Sequence, residues 1–193
     1  MSDGARLHTF VVYVDDLPGV LNRIASLFRR RAFNIESLTV GHTELPGISR
    51  MTIVSRINEG AAHRVEANIY KLVNVLSVQD VTHSSTVTRS LALIKVRAIE
   101  DSRHRLMEIV RVFRARVVDL APESLVIEST GAEERIQALV EVLRPFGILE
   151  MARTGRLAMT RGSERSARAV LSPEAAEQPA KSSEQAVGAS HSV

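Results

Sequence analysis

The junction between the first predicted strand and the first predicted helix carries the residues best suited to holding a small charged ligand. It spans residues 12–21 and has the sequence VYVDDLPGVL. A helix start exposes unpaired N–H groups and the positive end of the helix dipole, which favour a carboxylate. Gly19 lets a ligand approach the backbone closely, and Asp16 supplies an anion for an ammonium group. The junction therefore suits a free amino acid.

The same junction also has a purely structural interpretation. Asp is a common helix N-cap, and Pro-Gly is a common turn. The segment is therefore also typical of an ordinary turn between a strand and a helix, with no ligand. In the ligand-binding interpretation, Pro18 occupies the first helical turn, where its missing N–H costs nothing. Val20, Leu21 and Ile35 then line an aliphatic pocket. The spacing alone does not decide between the two.

Other residues that could do chemistry form no catalytic or metal-binding pattern. The six histidines are scattered, and we expect each to have a solvated surface role. They are His8, His42, His63, His83, His104 and His191. The chain has no Cys, which excludes thiolate nucleophiles and Cys-ligated metals, and no phosphate-binding glycine loop or serine-nucleophile motif. We expect no catalytic residue, no metal site and no cofactor.

Composition and charge give little support for a polyanionic or membrane partner. The net charge is +3, aromatic residues make up 4% of the chain, and Trp is absent. The arginines at 29–31 fit the last turn of a helix, where cations complement the dipole. Base-stacking aromatics are missing from the predicted third strands, so we expect no nucleic-acid binding. No apolar stretch reaches the roughly 20 residues of a membrane span, and no signal peptide is evident, so we expect a cytoplasmic protein.

The elements that would position the junction follow a repeated pattern. Strands are predicted at 8–14, 35–43, 49–57 and 75–82, and apolar residues at helical spacing predict helices at 20–31 and 65–73. The second half repeats the order with strands at 87–98, 117–120, 125–128 and 148–159, and helix faces at 106–113 and 136–143. The fold class is therefore α+β, with two consecutive ferredoxin-like βαββαβ domains and antiparallel four-stranded sheets.

This repeat sets the expected boundaries and the expected assembly. We place the first domain at 7–83, the second at 84–160 and a disordered tail, rich in Ala, Ser, Glu and Pro, at 161–193. Two helices cover one face of a four-stranded sheet, and the second and fourth strands form its edges. The open face and at least one edge need a partner or polar residues, so we expect a dimer that joins two edges.

Several motifs carry a resemblance to a known family. The DxPGVL motif at 16–21, between the first strand and first helix of a βαββαβ unit, resembles an ACT domain, a small-molecule-sensing module. FNIESLTV at 33–40 followed by SRMTI at 49–53 is similar to the regulatory small subunit of acetohydroxyacid synthase, also called acetolactate synthase. So are KLVNVL at 71–76 and ARTG at 152–155. The resemblance covers about residues 7 to 162.

The resemblance implies a regulatory role. It implies a non-enzymatic chain that binds the catalytic large subunit, activates it and confers feedback inhibition by branched-chain amino acids, usually valine. The large subunit would carry thiamine diphosphate, Mg²⁺ and FAD. The alternative is a stand-alone amino-acid-sensing ACT protein that needs no large subunit.

The resemblance also nominates effector-binding residues in a homodimer formed through the ACT domains. In the family the effector lies between two such domains. Carried over, this places Asp16, Gly19, Val20 and Leu21 on one side and Asn34 and Ile35 of the other chain across the interface. Asp16 stands where the family often has Asn.

Overall fold

The computed structural model describes residues 4–162 of the chain. Nearly all of the tail predicted over 161–193 therefore lies outside the described residues. The rest divides into two sheet-and-helix units of similar order.

The first unit has the predicted order βαββαβ. Its elements are β1 (Arg6–Asp15), α1 (Val20–Arg30), β2 (Ile35–His42), β3 (Ile48–Ile57), α2 (Glu59–Tyr70) and β4 (Val75–Asp80). The strands lie in the order β2-β3-β1-β4, and each neighbouring pair is antiparallel. This order leaves β2 at one edge of the sheet, with its outer side unpaired by any described strand.

The second unit repeats this order and adds a strand. Its elements are β5 (Thr86–Arg97), α3 (Glu100–Val112), β6 (Arg116–Leu120), β7 (Ser124–Gly131), α4 (Glu133–Leu143), a 3₁₀ turn (Arg144–Phe146), β8 (Ile148–Arg153) and β9 (Leu157–Thr160). The order is β6-β7-β5-β8, and β9 pairs with the first residues of β5. The predicted pair of antiparallel ferredoxin-like folds is confirmed.

Helix α1 shows why the apolar spacing was informative. The helix buries four apolar side chains against the first sheet, those of Val20, Ile24, Leu27 and Phe28. It ends at Arg30, with Arg31 as its C-cap.

The prediction for α2 was less accurate, because the helix ends at Tyr70 and not at residue 73. Val73 is 71% exposed, and Asn74 turns the chain with φ of +71°. The apolar spacing continued past the helix because Leu72 packs on the same core from the following turn.

The last strand differs from the prediction of a single strand over 148–159. It is interrupted between β8 and β9, and β9 then crosses the face of the first sheet opposite its helices. There Ala158 is buried with Val11, Tyr13 and Val81. Part of the face expected to need a partner is therefore covered by β9 of the same chain.

His8 departs from the expected surface role. Its side chain is fully buried in β1, and its Nδ1 lies 2.7 Å from Asp80 Oδ2. This pairing explains how a histidine is accommodated inside the first unit.

Within residues 4–162, no cluster of three or more His, Asp or Glu could hold a metal ion. In the same part of the chain, no helix is long and apolar enough to cross a membrane.

Candidate functional site

The loop between β1 and α1 contains a tight turn that ends at an open helix start. The N–H of Val20 lies 3.5 Å from the carbonyl of Leu17, and Gly19 has φ of +86° and ψ of −9°. These angles, with Pro18 before them, are those of a type II turn, which requires a positive φ at its third residue. Pro18 therefore precedes the helix, and its predicted place in the first helical turn was wrong.

The start of α1 lacks a side-chain cap. Gly19 is the N-cap residue, no side chain caps the helix, and no acidic residue lies in its first turn. A Cβ built on Gly19 would meet nothing within 4 Å. The N–H groups that follow Val20 in the first turn of α1 therefore receive no side-chain cap, and together with the positive end of the helix dipole they would favour a carboxylate.

Asp16 lies beside this helix start and is held from two strands. The Ser49 hydroxyl donates to Asp16 Oδ1 at 3.1 Å, and His42 Nδ1 lies 3.2 Å from Asp16 Oδ2. The backbone N–H of Asp16 donates to the carbonyl of Gly47 at 2.8 Å. The Asp16 side chain remains 45% exposed, so its carboxylate is both positioned and accessible to an ammonium group.

Asn74 positions the same loop, and the sequence reasoning did not include it among the site residues. Its carbonyl accepts from the N–H of Asp15 at 2.9 Å, and its Nδ2 donates to Asp15 Oδ2 at 2.9 Å. Its Oδ1 accepts from Arg23 on α1 at 2.6 Å. Asn tolerates positive φ better than most residues, so an Asn directly before a predicted strand was the available signal.

The two apolar residues after Gly19 have different environments. Val20 is 3% exposed and belongs to the core of the first unit, whereas Leu21 is 42% exposed. The Leu21 side chain is therefore free to contact a ligand. Val20 presents its backbone to the helix start and buries its side chain.

Asn34 and Ile35 lie at the other end of the unit. The chain travels the length of α1, about 16 Å for its 11 residues, before reaching them. The Asn34 carbonyl accepts from the Ser55 hydroxyl at 2.6 Å, and Ile35 packs partly on the core. One copy of the chain therefore does not bring these two residues to Asp16.

The outer side of β2 is paired by no described strand and is therefore an edge at which a second copy would pair. His42, at the end of β2, contacts Asp16, while Ile35 begins the same strand. If two β2 strands pair antiparallel about their midpoint, the start of each lies beside the end of the other. The Asn34 and Ile35 side of one copy would then face the Asp16 side of the next.

Comparison with known protein families assigns both halves of the chain. Residues 10–77 match the model of the small-subunit-like ACT domain of acetohydroxyacid synthase, and residues 89–162 match the small subunit of acetolactate synthase. A relative from Mycolicibacterium smegmatis named acetolactate synthase small subunit is 47% identical over 84% of this chain and 95% of that protein. The chain belongs to the acetolactate synthase small-subunit family.

Other relatives and a solved structure agree with this assignment. A probable acetolactate synthase small subunit from Archaeoglobus fulgidus is 46% identical over 82% of this chain and 99% of that protein. The crystal structure of the Thermotoga maritima acetolactate synthase small subunit has a TM-score of 0.77 at 37% identity and covers 82% of this chain and 99% of that one. A small subunit implies a catalytic subunit as its partner.

Proposed function

We propose that this small subunit binds and activates the thiamine-diphosphate-dependent catalytic subunit of acetolactate synthase and makes it sensitive to valine. The chain itself would do no catalysis. The observation that carries the effector proposal is the uncapped start of α1 beside the accessible Asp16 carboxylate. One end of this arrangement suits a carboxylate and the other an ammonium group, which are the two charges of a free amino acid.

We further propose that the effector lies between the ACT domains of a homodimer. Asp16, Gly19, Val20 and Leu21 of one copy would face the partner's Asn34 and Ile35. The unpaired edge of β2 supports this arrangement, because antiparallel pairing of two such edges satisfies backbone groups and juxtaposes the two residue sets. Residues 7–83 would thus form the effector-binding unit and 84–160 the second unit.

A reconstituted enzyme tests the whole proposal. The matching catalytic subunit is assayed for acetolactate formation from pyruvate, alone and with this chain, across a valine titration. We expect higher activity with the chain present and inhibition by valine only in its presence. Valine binding by the chain without any effect on the catalytic subunit would instead indicate a stand-alone amino-acid sensor.

A further inference from the structure

The turn between β8 and β9 reaches across to the edge strand of the first unit. The backbone N–H of Arg156 donates to the Ser37 hydroxyl of β2 at 2.8 Å. A Cβ built on Gly155 would lie 2.7 Å from the Leu38 carbonyl oxygen and 2.8 Å from Ser37 Oγ, and would also strike Thr39 Oγ1. Two of these three obstacles are side-chain oxygens and one is backbone. Only glycine therefore permits this approach at position 155.

The Arg156 side chain strengthens the same contact. Its guanidinium donates to Glu133 Oε2 at 2.6 Å and to Thr9 Oγ1 at 3.5 Å. Glu133 begins α4 of the second unit, and Thr9 lies on β1 of the first. With its side chain only 18% exposed, Arg156 is a largely desolvated link between the units.

A second link fixes β9 on the first sheet. The Arg50 guanidinium of β3 donates to the carbonyl of Ala158 and lies over the Tyr13 ring, 5.8 Å from its centroid. The second unit is therefore attached to the first sheet by backbone, hydroxyl and guanidinium contacts. A movement of β2 relative to β3 would alter the contacts that Gly155 and Arg156 make with β2. It would leave the contact between Arg50 of β3 and Ala158 in place.

The contacted part of β2 lies directly beside the proposed effector residues. Ser37 is two residues after Ile35, which is about 7 Å along a strand. The pairing between β2 and β3 shifts register between Ile35 and Ser37. A bulge of this kind locally disrupts a ladder and bends the strand, so it is a place where the start of β2 can change its path.

We propose that the contact of Gly155 and Arg156 with residues 37–39 couples effector binding in the ACT dimer to the second unit. The inference rests on the proposed function and adds the route by which valine acts. Valine held between two copies fixes the position of β2. The turn at 154–156 packs so closely on β2 that its position changes with that of the strand. The proposal requires that this contact differ between the valine-bound and valine-free arrangements, because a ligand shifts an equilibrium only through such a difference.

The test separates valine binding from valine inhibition. Gly155→Ala pushes the turn away from β2, and Ser37→Ala removes the acceptor of the Arg156 N–H while adding no atoms. Gly60→Ala is the matched control, because its methyl on α2 would approach nothing closer than 3.6 Å. Each full-length variant is measured for valine binding by calorimetry, then for activation and valine inhibition of the reconstituted enzyme.

We expect both contact variants to bind valine and to activate like the parent chain. The valine concentration for half-inhibition should rise at least about fivefold, the lower end of typical allosteric coupling. Gly60→Ala should match the parent chain in every measurement. If Gly155→Ala does not fold, the same measurements of valine binding and inhibition on Ser37→Ala decide the question.

Two results would overturn the inference. Unchanged inhibition in both contact variants would show that the contact does not transmit the signal. Loss of valine binding in them would show that it acts on the effector site itself. Absence of any valine effect on the parent enzyme would contradict the proposed function, which is a distinct outcome.

Discussion

Gly19 combines two properties at the residue scale that a side chain would remove. Its positive φ completes the turn before α1, and its missing Cβ keeps the helix start open. Asp16 and Asn74 complete the environment, one as an accessible anion and one as the residue that holds the loop. Substitutions at Gly19 and at Asn74 should therefore affect effector binding in different ways.

Gly19→Asp should abolish valine sensitivity and preserve activation. The new carboxylate would occupy the helix start and repel the effector's own carboxylate, so we expect the Kd for valine, measured by calorimetry, to rise at least about tenfold. Gly147→Asp is the control for backbone strain, because Gly147 has φ of +89° but lies in the second unit. Unchanged valine affinity in Gly19→Asp would remove Gly19 from the site.

Asn74→Gly should weaken valine binding by loosening the loop. Glycine keeps the positive φ without cost, so only the side-chain hydrogen bonds to Asp15 and Arg23 are lost. We expect a higher valine concentration for half-inhibition, with the same maximal inhibition at saturation. Asn74→Asp should have a larger effect, because it places a second carboxylate against Asp15. Equal half-inhibition in both variants and the parent chain would contradict this positioning role.

At the scale of elements, the apolar spacing of the helices and the β-branched strands were sufficient to predict the βαββαβ order that both units share. Local patterns of this kind reflect which face of each element is buried, and burial in one unit depends mostly on its own helices and sheet. The break at 154–156 and the burial of His8 were not predictable in this way. Both depend on partners distant in sequence, namely residues 37–39 for Gly155 and Asp80 for His8. Asn74 also has partners distant in sequence, Asp15 and Arg23, although its place directly before a strand was a local signal.

The start of α2 allows a prediction about ionisation. A hydrogen bond from Arg6 holds the pKa of Glu59 below its usual value of 4.5, and the charges of Arg6, His83 and His8 act in the same direction against partial desolvation. A carboxylate with a lowered pKa stabilises the fold above its unfolded-state pKa, and this contribution is lost as the pH falls through the folded-state value. Arg6→Gln should therefore raise the pKa of Glu59, measured by carboxyl ¹³C NMR titration.

The control for this measurement is Arg111→Gln on α3. Arg111 pairs with Glu108 in the second unit, so its removal should leave the Glu59 titration unchanged. An identical pKa for Glu59 in the parent chain and in Arg6→Gln would show that Arg6 is not the cause of the shift.

At the scale of the whole molecule, the edge of β2 determines the proposed assembly. Val40 lies on this strand and is 43% exposed. If two β2 strands pair about their midpoint, Val40→Lys brings two like charges close to the two-fold axis, where they repel. We expect the dimer Kd, measured by analytical ultracentrifugation, to rise at least about tenfold, with a parallel loss of valine binding.

Val118→Lys is the matched control for this prediction. Val118 is 49% exposed on β6, which is the corresponding edge of the second sheet. A dimer weakened equally by both substitutions would indicate a general charge effect. A dimer weakened only by Val118→Lys would place the interface on the second unit.

The covering of the first sheet by β9 has a consequence for how the protein is made. Val11 and Tyr13 leave the ribosome long before Ala158, which packs with them in one buried cluster. Synthesis at about 5–20 residues per second separates Val81 from Ala158 by roughly 4–15 seconds. During this interval the nascent first unit displays an apolar patch that β9 later covers. Its maturation is therefore a late event, and a growing chain that stalls before β9 would offer this patch to chaperones or to neighbouring polypeptides.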